Sequence, residues 1–264
     1  MDANKVVLAL LLMFTGISSM ANSYFFFGQF PLIMVSDSGN FSNFRLGDDD
    51  LVIDQKISKK LKRLWSYSDS KHPHPVTGRI AKRYLGCDES LVIEASDGSR
   101  GLLATKRMRV FPTTLSEGLT NALDSQGRQL LAMSLQTHKF DSQWSEQLIK
   151  RAKVTPIDIS HGKESSLVVT VSNETGGKSM MALLIAIPDD RSGYVFSFEE
   201  VKIGEASDGE GYAGTAELAM HVDLDGDGVE ELILKRTGYE SFDFDLLRWD
   251  GHQWLGISGG GGGC

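Results

Sequence analysis

An acidic loop in the last quarter of the chain is the pattern with the clearest chemistry. Residues 223–232 read DLDGDGVEEL, in which Gly226 and Gly228 permit a tight turn between regularly spaced carboxylates. Hard oxygen donors at this spacing suit Ca²⁺, which takes about six to eight oxygen ligands. The predicted metal ligands are the carboxylates at positions 1, 3, 5 and 9 and the backbone carbonyl at position 7: Asp223, Asp225, Asp227, Glu231 and Val229.

The loop differs from an EF-hand, whose twelfth position is a bidentate Glu. Position 12 is Leu234 here, and the flanking segments 217–222 and 231–236 alternate like strands. Segment 217–236 instead resembles the calcium loop of the FG-GAP/VCBS family, in which a D-x-D-G-D-G-x-x-[DE] loop joins two antiparallel strands. The resemblance implies that the three aspartates and Glu231 are side-chain ligands. It covers this segment alone, and because the sequence has one such loop, a repeat-built propeller is not predicted.

A calcium loop of this kind is expected to be structural. If all the carboxylates of the loop coordinate the ion, no open position remains for a reacting water. No catalytic residue is predicted. Residues 172–179, SNETGGKS, lack the first glycine of a phosphate-binding loop and predict a hairpin turn instead. The histidines are isolated, and no nucleophile is paired with a base.

Charge and hydropathy exclude several classes of partner. The chain has 264 residues, with 27 Lys+Arg against 35 Asp+Glu and a net charge of −8. This balance disfavours a nucleic-acid partner, which requires a basic surface. A basic face at Lys56–Arg63, opposite Ile57, Leu61, Leu64 and Trp65, is interpreted as the solvated side of a surface helix rather than a membrane or partner helix.

The amino-terminal residues predict export. Lys5 precedes the apolar run Val6–Ile17, and Ser19-Met20-Ala21 resembles a signal-peptidase site, so we expect residues 1–21 to be a signal peptide. The protein would then be periplasmic, secreted or displayed at the cell surface. An uncleaved anchor is the alternative, because apolar residues continue to Val35 and no charge lies between Lys5 and Asp37.

The spacing of apolar residues predicts an α+β fold, with helices in the first half and an antiparallel β-meander carrying the calcium hairpin in the second. Predicted helices are 56–65, 115–135 with a break near Gly127, and 142–152, with strands at 90–95 and 102–111 around a turn. Predicted later strands are 166–172, 180–187, 194–198, 217–222, 231–236, 242–249 and 252–257. Asp250-Gly251 predicts a two-residue hairpin turn. The expected regions are 22–152, 153–258 and a tail, 259–264.

The two cysteines predict one disulfide. Cys87 and Cys264 are the only thiols, and in an oxidising compartment they would form a Cys87–Cys264 bond. The alternative is a free terminal thiol on the glycine-rich tail, which by composition is a flexible tether.

Together these features predict an exported, calcium-stabilised binding or envelope-structural protein. We expect it to be a monomer that binds a protein or glycan, with Ca²⁺ as its only cofactor and a membrane contact only if the first segment is uncleaved. The alternative is a secreted hydrolase stabilised by calcium, which requires a concave cluster of carboxylates or histidines.

Overall fold

The computed structural model describes residues 22–44, 46, 55–67, 73–85, 88–108, 116–157, 159, 165–191, 193–205 and 211–263. The elements within these ranges are, in chain order, β1 (Ser23–Phe27), β2 (Phe30–Val35), β3 (Phe41–Ser42), α1 (Gln55–Lys60), β4 (Leu64–Ser66), β5 (His74–Val76), β6 (Gly78–Leu85), β7 (Asp88–Ala95), β8 (Leu102–Ala104), α2 (Glu117–Thr137), α3 (Ser142–Arg151), β9 (Lys153–Ile157), β10 (Ser166–Thr175), β11 (Lys178–Asp189), β12 (Gly193–Glu205), β13 (Thr215–Val222), β14 (Glu231–Thr237), β15 (Ser241–Trp249) and β16 (Trp254–Gly263).

The described chain is mainly β, built from antiparallel sheets. An outer sheet has the order β3-β2-β1-β8-β4-β5, a central sheet β13-β14-β15-β16, and a helix-covered sheet β12-β11-β10-β9, while β6 and β7 form a separate hairpin. The α+β class with helices gathered in the first half is therefore wrong. The first half contributes eight strands, β1 to β8, and only the second half has the predicted meander.

The central sheet is buried on both faces. In β14, Leu232 and Leu234 pack in the cluster shared with the helix-covered sheet, whereas Ile233 packs against the outer sheet. Such two-sided burial needs a continuous apolar strand. The helix-covered sheet repeats the arrangement, since Val168 faces the central sheet and Val169 faces α2 and α3.

The first-half corrections have a common physical cause, which is that apolar spacing alone does not distinguish a helix from consecutive short elements. Helix α1 ends at Lys60, and Leu64 is already in β4, yet Ile57, Leu61 and Leu64 are buried in one cluster. The strands β7 and β8 exist, but β7 pairs with β6 while β8 pairs with β1 and β4, so they do not form the predicted hairpin.

The hypothesis that a membrane anchor extends to Val35 is wrong for residues 23–35. Ser23–Phe27 and Phe30–Val35 are strands β1 and β2, paired with each other, and the side chains of Phe25, Phe26 and Ile33 are fully buried in the protein core. Residues 1–21 lie outside the described residues, as do Cys87 and Cys264, so the signal peptide and the disulfide stay predictions. In the part of the chain that the structure describes, no helix combines the length and apolarity needed to cross a membrane.

Helix α2 runs through Gly127 without a break. Its first turn is capped by the Ser116 hydroxyl, which accepts a hydrogen bond from the Leu119 amide. A Cβ on Gly127 would lie 2.6 Å from Cγ1 of Val154, so this glycine permits a close contact between α2 and β9. The predicted helix at 142–152 is α3, capped by the Asp141 carboxylate.

Strands β10 to β16 each overlap a predicted segment, whereas β9 lies outside every predicted strand. The two predicted turns in this region have different outcomes. Thr175 pairs with Lys178 across Gly176-Gly177, which confirms the hairpin turn predicted for SNETGGKS. Trp249 instead pairs with Trp254, so the turn at Asp250-Gly251 has four residues rather than two. Its Asp250 carboxylate accepts hydrogen bonds from two backbone amides, those of His252 and Gln253, which stabilises the wider loop.

The glycine-rich tail is a strand rather than a flexible tether. Residues Gly259–Gly263 belong to β16, which pairs with β15 and packs against β2. A Cβ would lie 2.1 Å from the Phe244 carbonyl oxygen at Gly259 and 2.9 Å from the Pro31 carbonyl oxygen at Gly260. These close backbone approaches explain why glycine occupies the strand.

The predicted division between residues 152 and 153 stays a prediction. Helices α2 and α3, which precede that point, pack on β10 and β11, which follow it.

Candidate metal centre

The acidic loop connects β13 to β14 in the central sheet. Leu224 is buried in the core between the central and outer sheets, whereas Val229 packs against the cluster on the opposite face. The loop is therefore held at both ends by apolar contacts. Gly226 and Gly228 have φ values of 89° and 90°, a conformation that side chains with a Cβ rarely adopt.

The aspartates organise the loop backbone through their carboxylate oxygens. Asp223 accepts hydrogen bonds from the amides of Gly226 and Gly228, at 2.7 and 3.0 Å. Asp225 accepts one from the Asp227 amide at 3.1 Å, and Asp227 accepts one from the Val229 amide at 2.8 Å. These bonds turn the three carboxylates toward one another.

The three aspartates converge. One carboxylate oxygen from each of Asp223, Asp225 and Asp227 lies within 4.8 Å of the others. Glu231 is not in this group, because its Oε2 accepts a 2.8 Å hydrogen bond from the Leu224 amide on the core side of the loop. Val229 contributes its amide to Asp227. Of the four carboxylates predicted to act together, the structure thus brings three within mutual reach and places the fourth next to the loop.

Glu231 is a buried carboxylate with an unsatisfied oxygen. The residue is only 1% exposed, and its Oε1 has no hydrogen-bond partner. Burial is the main cause that raises the pKa of Glu231 to about 8, and the charges of the three aspartates add to the effect. Burial likewise raises the pKa of Asp225 above its usual value, with the neighbouring Asp227 and Asp223 adding to the effect.

Arg248 on β15 is the cation that faces this cluster. Its Nη2 lies 3.1 Å from Oδ2 of Asp225, and its Nε lies 3.9 Å from Oε1 of Glu231. The guanidinium also stacks 4.5 Å from the ring centre of Phe41. Among the described residues, Arg248 therefore forms ion pairs with two of the four carboxyl groups, Asp225 and Glu231.

Arg248 and Phe41 are not among the site residues predicted from the sequence. A signal for Arg248 existed in the register of the meander: Leu232 pairs with Leu247, which places Glu231 opposite Arg248. Phe41 belongs to β3 of the outer sheet, and nothing in the local sequence indicates its contact with β15.

Three described histidines contact carboxylates, in separate places. His221 Nδ1 lies 2.7 Å from Glu230 Oε2, next to the acidic loop. His74 Nε2 lies 2.7 Å from Asp97 Oδ2, and His138 Nε2 lies 3.4 Å from Glu199 Oε1. His74 is on β5 and His138 follows α2, so these pairs do not form one cluster. A serine hydroxyl donates to the carboxylate of each of the last two pairs, Ser99 to Asp97 and Ser134 to Glu199. Among the described hydrogen bonds, neither serine donates to the imidazole of its pair.

Comparison of the chain with protein-family models, with curated proteins and with solved structures finds no match. The FG-GAP/VCBS resemblance of residues 217–236 therefore stays a prediction based on the loop alone.

Proposed function

We propose that the 223–231 loop binds one Ca²⁺ ion and that the protein is an exported, calcium-stabilised binding or envelope-structural module. The observation that carries the proposal is the convergence of three aspartate carboxylates beside a buried Glu231 whose Oε1 lacks a hydrogen-bond partner. Carboxylate oxygens in a glycine-containing loop are the donors that Ca²⁺ prefers.

The charge arrangement supports a divalent cation. Among the described residues, Arg248 pairs with two of the four carboxyl groups. Burial and, after it, repulsion from the neighbouring carboxylates raise the pKa values of Asp225 and Glu231. A divalent ion would offset this repulsion. Asp223, Asp225 and Asp227 would hold the ion, and Glu231 would complete the set by a movement of its carboxylate toward them.

The position of the loop favours a structural role for the ion. The loop joins two strands of the central sheet, which packs on both other sheets. An ion that binds the folded chain and not the unfolded chain raises the stability of the fold by mass action. Extracellular calcium sites function with dissociation constants as weak as about 10⁻⁴–10⁻³ M, which suits the export proposed from the Val6–Ile17 segment.

A thermal melt in Ca²⁺ and in chelator tests the calcium proposal. At a Ca²⁺ concentration about 100 times the dissociation constant, the stabilisation is about 2.7 kcal/mol. For a chain of this size we expect Tm to rise by roughly 5–10 °C. Asp227→Asn should lose most of this rise, since Asp227 is exposed and its amide replacement retains the acceptor for Val229.

Asp190→Asn is the matched control, because Asp190 is exposed in a turn between β11 and β12 and the variant has the same change in charge. It should retain the full calcium response. An equal response in wild type and Asp227→Asn would overturn the proposed site. Fractionation of cells that express the full chain tests export separately, and accumulation in the cytosol would contradict it.

The hydrolase alternative receives no specific support from the described clefts. Two neighbouring clefts beside α1 and β4 are lined largely by lysine, arginine, threonine and apolar residues, with Asp37 as the one carboxylate among the described lining residues. A hydrolase would need carboxylates or histidines in such a cleft.

A further inference from the structure

A basic cleft lies at the end of the outer sheet where β1 begins and β8 ends. It has a volume of about 700 Å³ and is bordered by the end of α1, the start of β1 and the segment after β8. Its cationic lining residues are Lys59, Lys60, Lys62, Arg63 and Lys106. Asp37 is the one acidic residue among the described lining residues, in a chain whose net charge is −8.

Four of the five cationic side chains that line the cleft are exposed to solvent. Lys59, Lys62, Arg63 and Lys106 are exposed, and none of them forms an ion pair within the part of the chain that the structure describes. Lys60 is fixed in the wall of the cleft, where its Nζ donates to the Asn22 carbonyl oxygen and lies 4.9 Å from the Tyr24 ring centre. Exposed cations gathered in one concavity attract anions, and the attraction is strongest for groups with several charges.

An aromatic residue lies beside the cations. Trp65 is half-buried on β4, and the Arg107 guanidinium stacks 4.9 Å from its ring centre. Tryptophan next to arginine and lysine is common where a protein meets lipid headgroups. Trp65, Lys62 and Arg63 also line the second cleft, which extends the basic surface along β4 toward β5.

The apolar segment Val6–Ile17 is tethered close to this cleft. Asn22 lies in the cleft wall, and the chain between Ile17 and Asn22 spans at most about 18 Å when fully extended. If the chain is cleaved after Ala21, the new α-amino group of Asn22 adds a positive charge at the same place. In either form the cleft remains basic.

We propose that this basic cleft binds phosphate groups, and that their source is the headgroups of anionic phospholipids at a membrane surface. The basic residues would contact the phosphates, and Trp65 would lie at the headgroup level. In the uncleaved chain, the tether to the apolar segment is the reason to favour a lipid over a soluble phosphate compound. This inference is independent of the calcium proposal, because no predicted metal ligand lines the cleft.

Vesicle co-sedimentation of the full chain tests the inference. Wild type is compared on vesicles of phosphatidylcholine alone and of phosphatidylcholine mixed with phosphatidylglycerol, at physiological and at high salt. The Lys59→Gln/Lys62→Gln/Arg63→Gln variant removes three exposed charges and should lower the partition coefficient on the anionic vesicles roughly 100-fold. The apolar segment is present in every variant and cannot produce this difference.

Lys150→Gln/Lys153→Gln/Lys178→Gln is the matched control, since these lysines are exposed on α3, β9 and β11 and give the same change in net charge. It should bind anionic vesicles within a few-fold of wild type. Equal losses in the two variants, or equal wild-type binding to both vesicle types, would overturn the inference. Saturation of the cleft by soluble pyrophosphate with no binding to anionic vesicles would also overturn it, because the source would then be a soluble phosphate.

Discussion

Glu231 is the residue whose ionisation should control the metal-free loop. Its pKa is raised to about 8 from a usual value of 4.5, mainly by burial. Between these pH values the folded chain retains a proton that the unfolded chain has released, so the free energy of unfolding falls as the pH rises. In chelator, we expect a decrease on the order of 4 kcal/mol from pH 4.5 to 8.

Denaturant unfolding across this pH range checks the prediction. Glu231→Gln should flatten the profile, whereas Glu217→Gln, at an exposed position of β13, should leave the slope unchanged. A wild-type profile that rises between pH 5 and 8 in chelator would contradict the assigned burial effect. Saturating Ca²⁺ should also flatten the wild-type profile, because the ion favours the ionised carboxylate.

Arg248 stabilises the metal-free loop but opposes the ion electrostatically. Arg248→Gln removes the charge that lies 3.1 Å from the Asp225 carboxylate. We expect a lower Tm in chelator together with a roughly fivefold higher calcium affinity, since a positive charge next to the site is lost. Arg236→Gln is the control, because Arg236 pairs with Glu200 and Asp245. Weaker calcium binding by Arg248→Gln would show that the arginine supports the bound state instead.

Among the elements, α2 offers a test of why a glycine lies in the middle of a continuous helix. Gly127→Ala places a Cβ 2.6 Å from Val154, so we expect a loss of about 1–3 kcal/mol in the free energy of unfolding. Gly118, in the first turn of the same helix, has no atom within 4 Å of its Cβ position. Gly118→Ala should leave stability unchanged or raise it by up to about 0.5 kcal/mol. Chemical denaturation of both variants measures the contrast, and equal effects would refute the close packing of α2 on β9.

Strand β16 provides a second test at this scale. A Cβ on Gly261 would lie 2.0 Å from the Phe242 carbonyl oxygen, whereas one on Gly256 would lie 3.8 Å from Leu247 Cδ2. Gly261→Ala should therefore lower the free energy of unfolding by about 1–3 kcal/mol, and Gly256→Ala should have little effect. If Gly261→Ala is neutral in the same denaturation assay, residues 259–263 behave as the flexible tether that their composition suggests.

The elements also show why half of the fold could be predicted from the sequence. The strands from β10 onward are separated by turns that contain glycine or aspartate, and each pairs with a neighbour in sequence. In the first half, β8 pairs with β1 and β4, which are distant in sequence. The spacing of apolar residues along the chain does not indicate which distant strands pair. The aspartates of the site were predictable because they share one loop, whereas the contact of Arg248 with Phe41 depends on the packing of two sheets.

For the whole molecule, the three stacked sheets explain how a moderately apolar chain makes a large core. The central sheet is buried on both faces, α1 covers part of the outer sheet, and α2 and α3 cover the third. In the described part of the chain, the two largest buried apolar clusters lie between stacked sheets rather than under helices.

Charges of opposite sign gather at two different places on the molecule, the acidic loop and the basic cleft. The turn between β2 and β3 lies between the acidic loop and the basic cleft: Asp37 lines the cleft, and a Cβ on Gly39 would lie 3.7 Å from the Asp225 carboxylate. The two proposed sites are thus neighbours of opposite charge. Calcium binding and phosphate binding can be measured independently, because the variants that test them share no residue.

Isothermal titration of the chelator-treated full chain with Ca²⁺ tests the central claim most directly. We predict one ion bound per chain, with loss of the binding heat in Asp227→Asn and its retention in Asp190→Asn. Mg²⁺ should bind more weakly, because it requires a smaller octahedral site and dehydrates reluctantly. Absence of binding at millimolar Ca²⁺, or binding that Asp227→Asn leaves unchanged, would contradict the assignment of this loop as a calcium site.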